Sequence, residues 1–271
     1  MTPRSQYQAD GFVVAERALS AAELDVLKAE AVQICRGNRG PIGGIVPEVS
    51  ASDDEVMRRT LAIHFPHKAS DLVRTCLAHP RVTEMLTEVI GPNVKAMQSM
   101  LFIKAAGKPG QAWHQDEAFI PTRDRSLAGA WIALDDATVE NGCLWVIPGS
   151  HRPGVIWPLR PHHDPRYDSS PEAYDFPFDE AAAVPVEVPA GSVVVFNGYL
   201  LHRSLDNRAA TGYRRALVNH YMSAESLLPW QGEADWRDVV LVAGRDPYEY
   251  KGIEDRSRAF VRLEGMPDTE H

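Results

Sequence analysis

The chain has 271 residues, 44% of them hydrophobic and 24% charged, the balance of an ordinary soluble globular protein with room for a substantial core. Lysine and arginine number 28 against 37 acidic residues, a formal charge of −9, so nucleic acid is not expected as the main partner, because phosphate binding needs a basic footprint. Three widely separated cysteines (Cys35, Cys76 and Cys143) give no disulfide framework or zinc ribbon, and with a polar start and no apolar run of about 20 residues they suit a cytoplasmic protein without a membrane span.

In chain order, the first expected helix covers residues 20–35. Ser20 and Glu23 make an S-x-x-E capping box, and Leu24, Leu27, Ala31 and Ile34 recur at helical spacing. Residues 36–60, rich in Gly, Ser and Asp, read as loop. Helical spacing returns near Ser70 through Leu72, Val73, Cys76 and Leu77. It breaks at Pro80, resumes through Val82, Met85, Leu86, Val89 and Ile90, and stops at Gly91-Pro92. From Val94 the texture changes to short apolar runs bounded by turn residues. Strands are expected at 94–104, 128–135, 144–147, 186–188, 192–196 and 214–221, a series that suggests a sandwich or barrel rather than a βαβ fold. The proline-rich stretch 151–183 is long for an irregular segment inside a compact domain. It reads either as a lid over a site or as a solvated excursion. The tail after Ser226 is mixed and charged, with Trp230, Trp236 and Tyr248 as candidate anchors. No repeat or linker divides the chain, so one domain spanning 1–271 is expected.

The chemistry concentrates in Trp113-His114-Gln115-Asp116, His202 and Arg214. On an extended chain His114 and Asp116 point to one face, with Gln115 turned away, and His202 lies near the mouth of the expected barrel. Two imidazoles and one carboxylate are the facial set that holds non-haem iron(II) and leaves positions open for other ligands. Ser204 falls two residues after His202. A turn over 206–212 and a hairpin would bring Arg214 back beside it, with Arg214, Ala216 and Val218 on one face. A buried guanidinium there needs an anion, and a dicarboxylate's distal carboxylate would pair with it bidentately. The other histidines (His64, His67, His79, His151, His162, His163, His220 and His271) are read as structural or exposed. Phe119, Arg123, Arg125 and Trp157 flank the motif as candidate pocket residues.

Three segments in order, LFIKAAGKPGQAWHQDEAF, GAWIALDDATVENGCLWVIPGSHRPG and PAGSVVVFNGYLLHRSLDNRAATGYRRALVNHY, resemble the phytanoyl-CoA dioxygenase family of iron(II)- and 2-oxoglutarate-dependent oxygenases, over about residues 94–222. The resemblance implies a mainly β fold, a double-stranded β-helix or cupin-type jelly roll. Its core would span about 94–224, with a helical N-terminal part at about 1–93 and a C-terminal tail at 225–271. It implies His114, Asp116 and His202 as metal ligands and Arg214 with Ser204 as the 2-oxoglutarate anchor. Lys104 and Trp131 fall where the family contacts or lines the co-substrate. The turn before Arg214 is one residue longer than the family form, which leaves Arg215 as the alternative anchor.

The implied activity is hydroxylation of an aliphatic C–H bond of a small organic molecule, using iron(II), 2-oxoglutarate and O2 and releasing succinate and CO2. Asp116 argues against halogenation, since halogenating relatives lack the metal carboxylate. Two other readings share the ligands. One is a non-catalytic metal- or 2-oxoglutarate-binding protein, the other a zinc hydrolase, which gives Arg214 and Ser204 nothing to do.

Overall fold

The computed structural model describes residues 2–46, 49–228, 239–251 and 257–263. The N-terminal part consists of α1 (Pro3–Asp10), β1 (Phe12–Ala15), α2 (Ala21–Cys35), α3 (Asp53–Arg59), β2 (Thr60–His64), α4 (Asp71–Cys76) and α5 (Pro80–Val89). The β-rich part follows with β3 (Val94–Ala105), β4 (Gln111–His114), β5 (Ala128–Ala133), β6 (Leu144–Val146), β7 (Leu159–Arg160), β8 (Glu172–Ala173), β9 (Val184–Val186), β10 (Val193–Asn197), β11 (His202–Ser204) and β12 (Tyr213–Ser223). The tail adds β13 (Val240–Ala243) and β14 (Phe260–Leu263).

The large sheet runs β1-β10-β5-β12-β3-β2-β14, with β13 added to β3, and the smaller one runs β4-β11-β6-β9. Neighbours in both are antiparallel. The large sheet is buried on both faces, which explains near-continuous apolar runs such as Val193–Asn197. Leu101, Ile103, Ile132, Val193, Val195 and Leu217 share one core with Leu27, Ile34 and Leu86 of the helices. Their strand neighbours Trp131, Phe196, Ala216 and Val218 pack with Leu144, Val146 and Val186 of the small sheet. The site lies between the sheets, on this second face.

The capped helix over 20–35 forms as expected. Ser20 accepts from the Glu23 amide, and the Glu23 carboxylate accepts from the Ser20 amide. The pair of helices around Pro80 forms too, with Pro80 opening α5, where its missing N–H costs nothing.

Three expectations fail. Residues 36–60 are not all loop, because Ser52 and Glu55 build a second capping box and start α3. β2 then continues straight from α3 and joins the large sheet beside β3. The tail is not merely anchored: β14 pairs with β2 and β13 with β3. Trp230, Trp236 and His271 fall outside the described residues, while the Tyr248 hydroxyl accepts from Arg123 at 3.3 Å. Finally, β11 and β12 are not a hairpin. β11 pairs with β4 and β6, and β12 pairs with β3 and β5, so 205–212 crosses from one sheet to the other.

Candidate active site

His114 ends β4 and faces His202, the first residue of β11, as a cross-strand pair with ring centroids 4.0 Å apart. Asp116 sits two residues past the end of the strand and opens a short 3-10 turn. Gln115 between them keeps extended angles (φ −129°, ψ 126°), so the two-residue alternation carries through and puts Asp116 on the side of His114. Gln115 points away, as expected, donating to the Tyr199 carbonyl at 2.7 Å and to that of Val155 at 3.0 Å.

Asp116 Oδ1 lies 3.7 Å from His114 Nε2 and 3.5 Å from His202 Nε2, and ligand atoms of the three residues lie within 4.8 Å of one another. Facial ligands on bonds of about 2.1 Å stand roughly 3 Å apart, so a small inward movement closes the set around an ion. Each imidazole is fixed by its other nitrogen. His114 Nδ1 donates to the Ala112 carbonyl at 2.8 Å, and His202 Nδ1 to that of Leu200 at 2.9 Å. A carbonyl only accepts, so the protons sit on Nδ1 and both Nε2 lone pairs are free for a metal. Burial and the nearby His202 lower the His114 pKa to about 3, which keeps it neutral. Burial raises the Asp116 carboxyl, but His202, His220 and His114 outweigh it and hold Asp116 below the usual range. The donor set fits iron(II).

His220, read from the sequence as structural or exposed, belongs to the site. It is buried, and its Nε2 donates to Asp116 Oδ2 at 2.9 Å. That bond occupies the carboxylate oxygen turned away from the two metal-facing imidazoles. The signal was present: His220 continues the alternation Arg214, Ala216, Val218 by one more step.

Arg214 and Lys104 form the other end of the cavity. They are register partners on β12 and β3, and both are buried. Lys104 Nζ donates to Ser204 Oγ at 2.9 Å and to the Leu205 carbonyl. Arg214 makes no hydrogen bond or ion pair among the described residues, and its guanidinium lies 5.5 Å from the Trp131 ring. Burial lowers the Arg214 pKa to about 10, and burial together with Arg214 pushes Lys104 well below the usual lysine range. Ser204 therefore reaches Arg214's neighbourhood through Lys104 across the sheets, not through a hairpin. Two glycines permit this approach. A Cβ on Gly110 would meet the Ser204 carbonyl, and one on Gly142 (φ +81°) would come within 2.4 Å of the Leu205 carbonyl oxygen and 3.0 Å of Lys104 Nζ. Arg215 faces the other way, bidentate to Asp135 at 2.7 and 2.8 Å.

One cavity of about 490 Å³ joins the two ends and is lined by His114, Asp116, His202, Ser204, Lys104, Arg214, Trp131 and His220. This is the size of a drug-sized ligand pocket. Of the four flanking candidates, only Phe119 lines it. Arg123 is held by Tyr248, Arg125 lies over the Tyr199 ring, and Trp157 packs among Phe176 and Phe178. From the 151–183 stretch, Asp168, Ser170 and Pro171 form part of the wall. Arg262, on the supposed tail, also lines it and donates to Ser169 and Ser170 at 3.0 Å.

Comparison with known proteins agrees with the resemblance read from the sequence. The profile of the phytanoyl-CoA dioxygenase (PhyH) family matches residues 7–216, and the chain belongs to that family. It is 30% identical over 241 residues to peroxisomal phytanoyl-CoA dioxygenase of Rattus norvegicus, covering 82% of this chain and 68% of the rat protein. With phytanoyl-CoA dioxygenase 1 of Oryza sativa it shares 34% over 164 residues, 60% of this chain and 57% of the rice protein. With the Arabidopsis thaliana enzyme it shares 36% over 131 residues, 48% of this chain and 44% of that one. The chain thus spans about half the length of these plant relatives. Among solved structures, the non-heme monooxygenase ThoJ superposes with a TM-score of 0.70 at 24% identity, covering 99% of this chain and 89% of ThoJ. The non-heme alpha ketoglutarate dependent epimerase SnoN from nogalamycin biosynthesis superposes at 0.66 and 21%, covering 98% and 91%. At such identities the likeness is one of fold.

Proposed function

We propose that this protein is an iron(II)- and 2-oxoglutarate-dependent oxygenase that hydroxylates an aliphatic C–H bond of a small organic molecule, releasing succinate and CO2. One observation carries the reading: a buried two-histidine, one-carboxylate cluster shares a cavity with a buried guanidinium that has no anionic partner among the described residues. A metal site alone explains the first feature and leaves the second as an unrelieved cost. A dicarboxylate that also chelates the metal explains both.

In this reading His114, Asp116 and His202 hold iron, and Arg214 takes the distal carboxylate of 2-oxoglutarate, with Ser204 and Lys104 beside it. Trp131 forms the apolar wall under the guanidinium. Bound iron and 2-oxoglutarate supply the O2-activating chemistry. The chain's residues do the rest. The Ala112 and Leu200 carbonyls keep both imidazoles in the metal-binding tautomer, and His220 holds one Asp116 oxygen so that the other faces the metal. The walls keep water out and the substrate close. Arg215 is left out because Asp135 already satisfies it. The two facing sheets are read as the walls of a jelly roll within a single domain. Three cysteines, each free and buried, favour the cytoplasm.

Anaerobic addition of iron(II) and 2-oxoglutarate should produce a visible charge-transfer band, and oxygen should then yield succinate. A band without any succinate would favour a binding protein instead. The structural relatives include the epimerase SnoN and the carbocyclase SnoK. Product mass therefore decides the outcome: hydroxylation adds one oxygen, epimerisation leaves the mass unchanged, and ring closure removes two hydrogens.

A further inference from the structure

We infer that the cavity's second occupant is an uncharged, mainly apolar small molecule whose hydroxyl or carbonyl groups are read by the carboxamides of Gln98 and Gln111, and not an acyl-CoA thioester. This rests on the oxygenase reading, which commits the metal cluster and the Arg214–Lys104 pair to iron and co-substrate.

With those groups set aside, the wall is apolar, built by residues such as Leu61, Met100, Phe102, Phe119, Ile120 and Pro171. Two further cations line it, and each is already neutralised. Arg203 pairs with Glu180 at 3.1 Å and lies 4.4 Å from the Trp113 ring. Arg262 pairs with Asp168 at 3.5 Å and uses the Ser169 and Ser170 hydroxyls. Asp168, the acid on this wall outside the metal cluster, is spent in that same pair. Among the described lysine, arginine and carboxylate side chains of this wall none is left uncompensated, and His64, which also lines it, stacks on Phe260 at 4.4 Å. A charged substrate group would lose its hydration there without gaining a counter-charge, which is costly.

Neutral polar groups fare differently. Gln98 and Gln111 both line the cavity, and neither side chain makes a hydrogen bond to another described residue. Gln98 stands opposite His220 on the large sheet, and Gln111 opposite Ser204 on the small one. The two carboxamides therefore address the cavity from opposite walls. Each offers both a donor and an acceptor, so each can read a hydroxyl or a carbonyl. In the 151–183 segment Arg160 is paired with Glu172 at 2.7 Å and Arg166 with Asp164 at 2.5 Å, Arg152 is held by the Ala9 carbonyl, and none of the three lines the cavity. A CoA ester carries several phosphate charges and would need such cations unpaired.

The test compares one carbon skeleton with different heads. 1-Decanol, decanoate, decanoyl-CoA and decanoyl-N-acetylcysteamine are titrated into full-length protein carrying iron(II) and 2-oxoglutarate under nitrogen. Binding is read by tryptophan fluorescence, and the charge-transfer band reports separately whether metal and co-substrate are in place. Decanol should bind at least tenfold more tightly than decanoate, and the CoA thioester no more tightly than the truncated thioester. Gln98→Lys supplies the missing charge and should move the preference at least tenfold towards decanoate. Tighter binding of decanoate by the wild type, a tenfold gain from the CoA moiety, no decanol binding, or no shift in the Lys variant overturns the inference. Loss of the band with decanol binding intact would instead strike the oxygenase reading.

Discussion

The two ends of the cavity are built on opposite principles. At the metal end the groups that orient the three ligands are bonded before any ion arrives, while His220 Nδ1 has no hydrogen-bond partner among the described residues. Both Nδ1 atoms are tied to backbone carbonyls, and Asp116 is tied to His220. At the anion end Arg214 has no hydrogen-bond or ion-pair partner among the described residues, and Lys104 is held well below its ordinary pKa by burial and by that guanidinium. The first end is pre-organised by its hydrogen bonds. The second is under electrostatic strain that only an incoming anion relieves. Ligand removal should therefore be felt at the anion end, while mutation should be felt most at the metal end.

The largest effect is expected from the ligands themselves. His114→Ala, His202→Ala or Asp116→Ala should abolish iron retention after gel filtration, measured by metal analysis, and with it succinate formation. Next is Arg214→Ala. Losing charge-assisted hydrogen bonds worth about 1.5–3 kcal/mol should raise the half-saturating 2-oxoglutarate concentration roughly 10- to 100-fold, while iron still binds. The apo form of that variant should melt no lower than the wild type, because the guanidinium removed was unpaired. A substantially lower melting temperature would break the contrast between the two ends.

His220→Ala should weaken iron binding by about tenfold, within the range typical when the group orienting a ligand is lost. His220→Gln keeps a donor and should recover part of it. If neither variant changes metal affinity, the Asp116 contact is incidental. Arg215→Ala should leave 2-oxoglutarate binding alone and cost about 1–3 kcal/mol of stability, since it strips Asp135 of its bidentate partner. Burial raises the Asp135 carboxyl, but Arg215 outweighs it and holds it below the usual carboxylate range. A depressed carboxylate stabilises the fold above its unfolded pKa of about 3.9 and loses that contribution as pH falls. The gap between Arg215→Ala and wild type should therefore narrow in acid.

The site was more legible than the fold around it, for a physical reason. His114 and Asp116 are read by local alternation, as is the face shared by Arg214, Ala216 and Val218, while His202 is placed only by the apolar run before it. What failed was pairing. The short segment 205–212 between β11 and β12 has turn residues suited to a hairpin, and nothing local distinguishes a turn from a crossing between sheets. Lys104, recognised only through the family resemblance, is the residue that links Ser204 to Arg214's end of the cavity. His220 went unread because its role depends on Asp116, 104 positions away in sequence. α3 went unread although Ser52 and Glu55 repeat the signal of Ser20 and Glu23. Its surroundings are rich in Gly, Ser and Asp, and its seven residues are too few to show a periodic stripe. Arg262 carries no local signal, because only long-range pairing of β14 with β2 brings it to the cavity.

The smallest effect tests whether the contrast is local to the cavity. The cap of α2 is made by Ser20, whose hydroxyl accepts from the Glu23 amide at 3.3 Å and donates to the Glu23 carboxylate at 2.7 Å. Those bonds from the Ser20 hydroxyl and amide, with His79, lower the Glu23 carboxyl to about 2. Ser20→Ala should cost about 1 kcal/mol, or roughly 2–4 °C in a calorimetric melt. Because the Glu23 carboxyl is depressed, its share is present at neutral pH and fades as pH drops through about 2. The sequence change lies on the helical side of the large sheet, and the cavity lies on the other. Iron and 2-oxoglutarate affinities should therefore match the wild type. A parallel loss of either would mean that helix packing sets the spacing between the sheets, and that the metal end is less self-contained than its hydrogen bonds imply.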